Sequence, residues 1–127
     1  MTREEVDQFI SRYISMWHEP DPETRRQMVI GLWAADAENH TSRYSIRGHD
    51  EIIPRVTRAH EDFVVGKGYY FRPAGNTDWR HNVIKFFWEM LPQSGGPIEA
   101  RGLDIFVMNE DGRIGALYQF GEPLQGR

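Results

Sequence analysis

Asp104 lies inside the apolar run Leu103-Asp104-Ile105-Phe106-Val107-Met108. A buried, unpaired carboxylate is expensive, so such a residue either gathers hydrogen-bond donors or keeps its proton. The protonated state suits acid–base chemistry: the group is then an acid or hydrogen-bond donor toward a substrate oxygen. The alternative is a structural aspartate, bound to a backbone N–H or an arginine, that only shapes a cavity. His40 is the candidate base, since an imidazole titrates near neutrality; its other reading is a polar strand residue. His40, His49, His60 and His81 follow one another at intervals of nine, eleven and twenty-one residues. These intervals match no local ligand motif, so no metal site is expected. Ser94-Gly95-Gly96 lacks the lysine and following helix of a phosphate loop. With no cysteine, thiolate catalysis and disulfides are excluded.

The elements that must position these groups follow from periodicity. Thr2 and Glu5 form a capping-box pattern. Val6, Phe9, Ile10, Tyr13 and Trp17 then recur at helical spacing, ending near His18 before Pro20 and Pro22. Asp21-Pro22 restarts a helix whose stripe is Met28, Val29, Leu32 and Trp33, running to about Ala35. Residues 38–46 read as a strand. Gly48 introduces a third helix over 50–65, and with Asp50 as cap Pro54 falls in its first turn. From residue 67 the period becomes two, giving strands over 68–73, 80–91, 98–109 and 113–120. Asp111-Gly112 marks a hairpin between the last two. The order is that of an α+β domain with helices on one face of a sheet.

The 127 residues are the length of a single domain spanning 1–127, long enough to bury a core without staples. Net charge is −4 and the basic residues are scattered, so a nucleic-acid partner is not expected. The charged start, MTREEVDQFI, is unlike a signal peptide, and no segment approaches membrane-spanning length. A cytoplasmic protein with no membrane partner is the expectation.

Parity assigns the faces. Gly102, Asp104, Phe106 and Met108 share one face of their strand, while Leu103, Ile105 and Val107 make an all-apolar second face. With the helices needed on one side, a second subunit is the expected cover of the other, giving a homodimer. Asn82 shares the face of Ile84, Phe86, Trp88 and Met90. Trp17, Trp88 and Tyr118 fall on inward faces with Tyr13, Asp104 or both, as pocket wall or as core. Asn39, Thr41 and Arg43 share one parity; Arg43 either reaches a pocket mouth, where it would meet an anionic substrate, or is solvated.

Five segments carry a resemblance: Leu32-Trp33-Ala34-Ala35-Asp36-Ala37, Arg47-Gly48-His49-Asp50-Glu51-Ile52, Gly102-Leu103-Asp104, Asp111-Gly112-Arg113-Ile114 and Phe120. In that order and spacing they resemble the SnoaL-like family of the nuclear transport factor 2-like superfamily, over nearly the whole chain. That family includes polyketide cyclases and is related to ketosteroid isomerase, scytalone dehydratase and limonene epoxide hydrolase. The resemblance implies a cystatin-like conical half-barrel. In it a strongly curved, mostly antiparallel sheet and three helices close a pocket, and dimers form through the outer sheet face. It also implies site roles. Tyr13 matches the phenol of the isomerase's oxyanion hole and Asp104 its protonated acid. The isomerase's base falls at or beside Thr41, whose hydroxyl does not exchange a carbon-bound proton as a carboxylate does, so ketosteroid isomerisation itself is not implied. The epoxide hydrolase site suggests Asn39 and Asn82 as amides, Asp104 as the acid, and Tyr13 or Tyr118 as the phenol. The expected function is a cofactor-independent acid–base enzyme of isomerase, cyclase, dehydratase or epoxide hydrolase type. Its substrate would be a small apolar oxygenated compound. The alternative is a non-catalytic ligand-binding or dimerisation domain.

Overall fold

The computed structural model describes residues 1–122 and 124. Helix α1 spans Arg3–His18; its capping box is complete, with Thr2 and Glu5 each accepting the other's backbone N–H. Val6, Phe9, Ile10, Tyr13 and Met16 are its buried stripe. Helix α2, Pro22–Leu32, starts on an Asp21 cap with Pro22 in the first turn, where its missing N–H costs little. It stops at Leu32, three residues short of the expected Ala35. Trp33 already begins strand β1, Trp33–His40, because the chain from Trp33 pairs in parallel with the last strand. A sheet partner here overrides the helical propensity of the alanines at 34, 35 and 37.

The expected strand over 38–46 is the end of β1, a tight turn at 41–44, and β2, Ser45–Arg47. Helix α3, His49–Ala59, is capped by Gly48, not Asp50. The Gly48 φ of 82° lies where glycine is favoured, and its N–H donates to the Ala37 carbonyl, tying the helix start to β1. Pro54 therefore sits in the second turn and leaves the Asp50 carbonyl without its helical donor. Residues His60–Val65 continue α3 as a π-helical turn.

The remaining strands are β3 (Tyr69–Pro73), β4 (Asp78–Arg80), β5 (Val83–Pro92), β6 (Ala100–Met108) and β7 (Ile114–Glu122). The sheet order is β2-β1-β7-β6-β5-β3, with β4 also paired to β5; all pairings are antiparallel except β1 with β7. This is the expected α+β half-barrel. The strand expected over 80–91 is interrupted at His81, whose φ of 53° turns the chain between β4 and β5.

One face of the sheet packs against the helices. Ile84, Phe86, Phe106, Ile114 and Leu117 are buried there with the α1 stripe. The ring of Phe106 stands edge-on to Phe9 and Tyr13, with centroids 5.0 and 4.9 Å away. The other face carries Leu103, Ile105 and Val107, each half-buried, and register places Phe120 and Tyr118 opposite the first two. Phe120 and Tyr118 remain 54% and 40% exposed. Among the described residues no helix is long and apolar enough to cross a membrane.

Candidate functional site

Between α1, α3 and the concave sheet face lies a cavity of about 720 Å³. That is the size of a small-molecule site. Asp104 comes to its wall because β6 alternates as expected, and the residue is 1% exposed. Three neutral donors converge on its carboxylate. The Tyr13 hydroxyl donates to Oδ2 at 2.8 Å, and Trp88 Nε1 and Gln119 Nε2 each donate to Oδ1 at 3.1 Å. Among the described residues no cation is paired with it. Burial pushes the carboxyl up while each of the three hydrogen bonds pulls it down; burial wins and the pKa stands at about 6.

Each donor has a structural reason to be there. Tyr13 is held by aromatic neighbours on several sides, with Trp17 at 5.9 Å and Phe86 at 6.1 Å, both edge-on. Burial, then the nearby Asp104 carboxylate, pushes its phenol well above the ordinary tyrosine range, so it stays a neutral donor. Trp88 pairs with Gly102 across β5 and β6. The indole lies over that glycine, where a Cβ would overlap its ring, and thus reaches Asp104 two residues along the strand. Gln119 is directly opposite Asp104 across β6 and β7.

Of the residues singled out in the sequence, Tyr13, Asp104, Trp17, Asn39, Thr41 and Trp88 all line this cavity. Asn39 is 7% exposed, and its enclosed side-chain oxygen has no hydrogen-bond partner among the described residues. Thr41 spends its hydroxyl on the turn, accepting from the N–H groups of Arg43 and Tyr44.

Four others are not brought to the cavity. His40 turns to the outer face, where it stacks on Tyr118 at 5.0 Å and bonds Ser45 and Glu38. Asn82 sits after the His81 turn and donates to the Met108 carbonyl, fastening the end of β6. Phe106 has the expected inward parity but lies under α1, fully enclosed in the core. Tyr118 is on the outer face because of a bulge: Val107 pairs with Ala116 while Met108 pairs with Ile114. The extra residue reverses the alternation, so that Leu117 and Gln119, not Tyr118, face inward. Gly115 inside an otherwise regular strand was the available sign of that bulge, and with it of Gln119. Tyr44, in the 41–44 turn, also lines the cavity without a signal in strand parity.

The sequence matches no protein-family model and no curated protein. Solved structures are similar. A SnoaL-like family protein from Agrobacterium tumefaciens, provisionally assigned as an isomerase, superposes with a TM-score of 0.84 at 27% identity, over 94% of this chain and 99% of that one. A provisionally assigned polyketide cyclase from Sinorhizobium meliloti gives 0.66 at 14% identity, over 89% and 94%. A de novo designed protein with a curved β-sheet gives 0.72 at 14% identity, over 97% and 89%, a likeness of fold alone.

Proposed function

We propose that this chain, which has the fold of the SnoaL-like, nuclear transport factor 2-like superfamily, is a cofactor-independent acid–base enzyme acting on a small apolar carbonyl compound. The observation that carries this reading is the Asp104 carboxylate, enclosed in a ligand-sized cavity, caged by three neutral donors and raised to about 6. Such a group is mostly ionised at pH 7 yet basic enough to take a proton, the compromise that general-base catalysis near neutrality needs. Asp104 takes a proton from the carbon beside the substrate carbonyl and returns it to another atom of the same molecule. Return to carbon is isomerisation, and return to an alkoxide closes an aldol cyclisation; one carboxylate serves both. The Tyr44 hydroxyl, on the same cavity wall, is a donor for the substrate oxygen. Burial holds the Tyr44 phenol above its ordinary range and therefore protonated.

Deuterium exchange tests the chemistry without knowledge of the natural substrate. Small ketones incubated with the protein in D2O should incorporate deuterium beside the carbonyl faster than in buffer, with a rate that rises through about pH 6 and levels above 7. Asp104→Asn should lower the rate by about 100-fold or more. Exchange equal to buffer, or undiminished in the variant, removes the enzyme. A non-catalytic ligand-binding role is the second reading, favoured by one observation: the three donors around Asp104 are all already engaged with it.

The outer face supports a homodimer. Leu103, Ile105 and Val107, with Tyr118 and Phe120 opposite, form an apolar surface that the chain's helices do not cover. Because these side chains are already half-buried, covering the rest of each is worth about half of the roughly 1.5–3 kcal/mol of full burial, still a sizeable share of a domain's net stability when summed. Sedimentation should show a dimer at micromolar concentration and a monomer for Ile105→Lys; a monomeric wild type contradicts the assembly.

A further inference from the structure

The cavity has a second polar feature that the proton-transfer reading leaves unused. Its wall includes Arg43 from the 41–44 turn, and Arg55 and Arg58 one helical turn apart on α3; all three are exposed, whereas Asp104 is enclosed. The arginines thus mark the mouth and Asp104 the floor. Arg58 is 3.6 Å from the Asp62 carboxylate, an ion pair that offsets its charge. Among the described residues Arg43 and Arg55 have no carboxylate partner, and the Arg55 guanidinium lies 4.4 Å over the Tyr44 ring. In a chain with a net charge of −4, two unneutralised guanidiniums beside one cavity are a local reversal of sign. The wall also carries the aromatic side chains of Trp17, Phe71 and Trp88. Phe71 meets both indoles, with centroids 6.1 and 5.7 Å away.

We infer that the ligand is an amphipathic organic anion. A flat apolar body packs against Trp17, Phe71 and Trp88, and a carboxylate or sulfonate at its outer end is held by Arg43 and Arg55. A guanidinium presents N–H groups in a fork that fits such an oxyanion, and it remains charged at any working pH. The same geometry sets orientation: with the anion at the mouth, the uncharged end reaches Asp104, away from the repulsion that two negative groups would feel on the enclosed floor. This inference rests on the reading of the cavity as the ligand site and adds to it the charge of the ligand.

Two fluorescent probes separate the charge from the apolar body: 1-anilinonaphthalene-8-sulfonate and its uncharged analogue N-phenyl-1-naphthylamine. The full-length protein should bind the sulfonate about tenfold more tightly or better at low salt, with the preference shrinking as salt is added. Arg43→Gln with Arg55→Gln should abolish the preference while leaving the neutral probe's Kd within about twofold, because the aromatic wall is untouched. Ala59→Phe, which fills the cavity from α3, should weaken both probes together. Equal binding of the two probes by the wild type, or a double arginine variant that still prefers the sulfonate, overturns the anion site while the cavity remains a ligand site. Probes insensitive to Ala59→Phe, or no binding of either, overturn the anion site together with the cavity reading beneath it.

Discussion

Asp104→Asn should make the protein more stable at pH 8, by about 3 kcal/mol, and the advantage should vanish near pH 4. The sign follows from linkage. The carboxyl has a folded-state pKa of about 6 against an ordinary 3.8, so the folded state holds the proton more tightly than the unfolded chain does. Its contribution to stability is fully present below pH 3.8 and is lost as pH rises through about 6. The gap between those pKa values corresponds to about 3 kcal/mol. An asparagine of the same shape escapes that cost, provided the cage can adapt to it. It would adapt as it does to the protonated carboxyl: the amide oxygen accepts from Trp88 and Gln119, and the amide nitrogen donates to the Tyr13 oxygen, whose own proton gives up its acceptor in both cases. Urea unfolding of both proteins at pH 4, 6 and 8 measures the difference directly. A variant equally or less stable at pH 8 would mean that the three donors fully compensate the buried charge. A stabilised but inactive variant is the expected mark of a residue kept for function.

Gly102→Ala should destabilise the protein by about 1–3 kcal/mol, a large effect for one methyl group. The added Cβ would fall on the Trp88 indole, 2.6 Å from Nε1, and the indole cannot stay where it is. As it moves, Asp104 loses one of the two donors on Oδ1 and its pKa rises further. Two readouts accompany the stability loss: a shift of tryptophan emission, and a pH–rate profile displaced upward relative to wild type. Unchanged emission with full stability would show that the indole does not lie across Gly102.

Where the chain follows simple period-two alternation, the sequence was sufficient. The inward placement of Asp104 and Trp88 follows from counting along β6 and β5, and that of Tyr13 from the α1 stripe; His40, the candidate base, has the opposite parity to Asn39 and faces out. The fold was legible for the same reason, with caps at Thr2 and Asp21 fixing two helices. The errors fall where backbone geometry departs from the regular period. The bulge near Gly115 exchanges Tyr118 for Gln119, and the left-handed His81 withdraws Asn82 from the cavity. Trp33 leaves its helix because a distant strand, β7, offers it hydrogen bonds, which local propensity does not register. The mouth arginines on α3 come from a helix whose sequence shows an apolar stripe inward and says nothing of what its rim overlooks.

The central claim is that Asp104 is a carboxyl group titrating near neutrality in a cage of neutral donors. Carboxyl NMR titration of the wild-type protein, with Asp104→Asn assigning the resonance, tests this most directly. The account predicts that Asp104 titrates near pH 6, moving upward in Tyr13→Phe as one donor is lost. A value at or below 4 would contradict it, leaving Asp104 an ordinary hydrogen-bonded aspartate without the basicity that the proposed proton transfer requires.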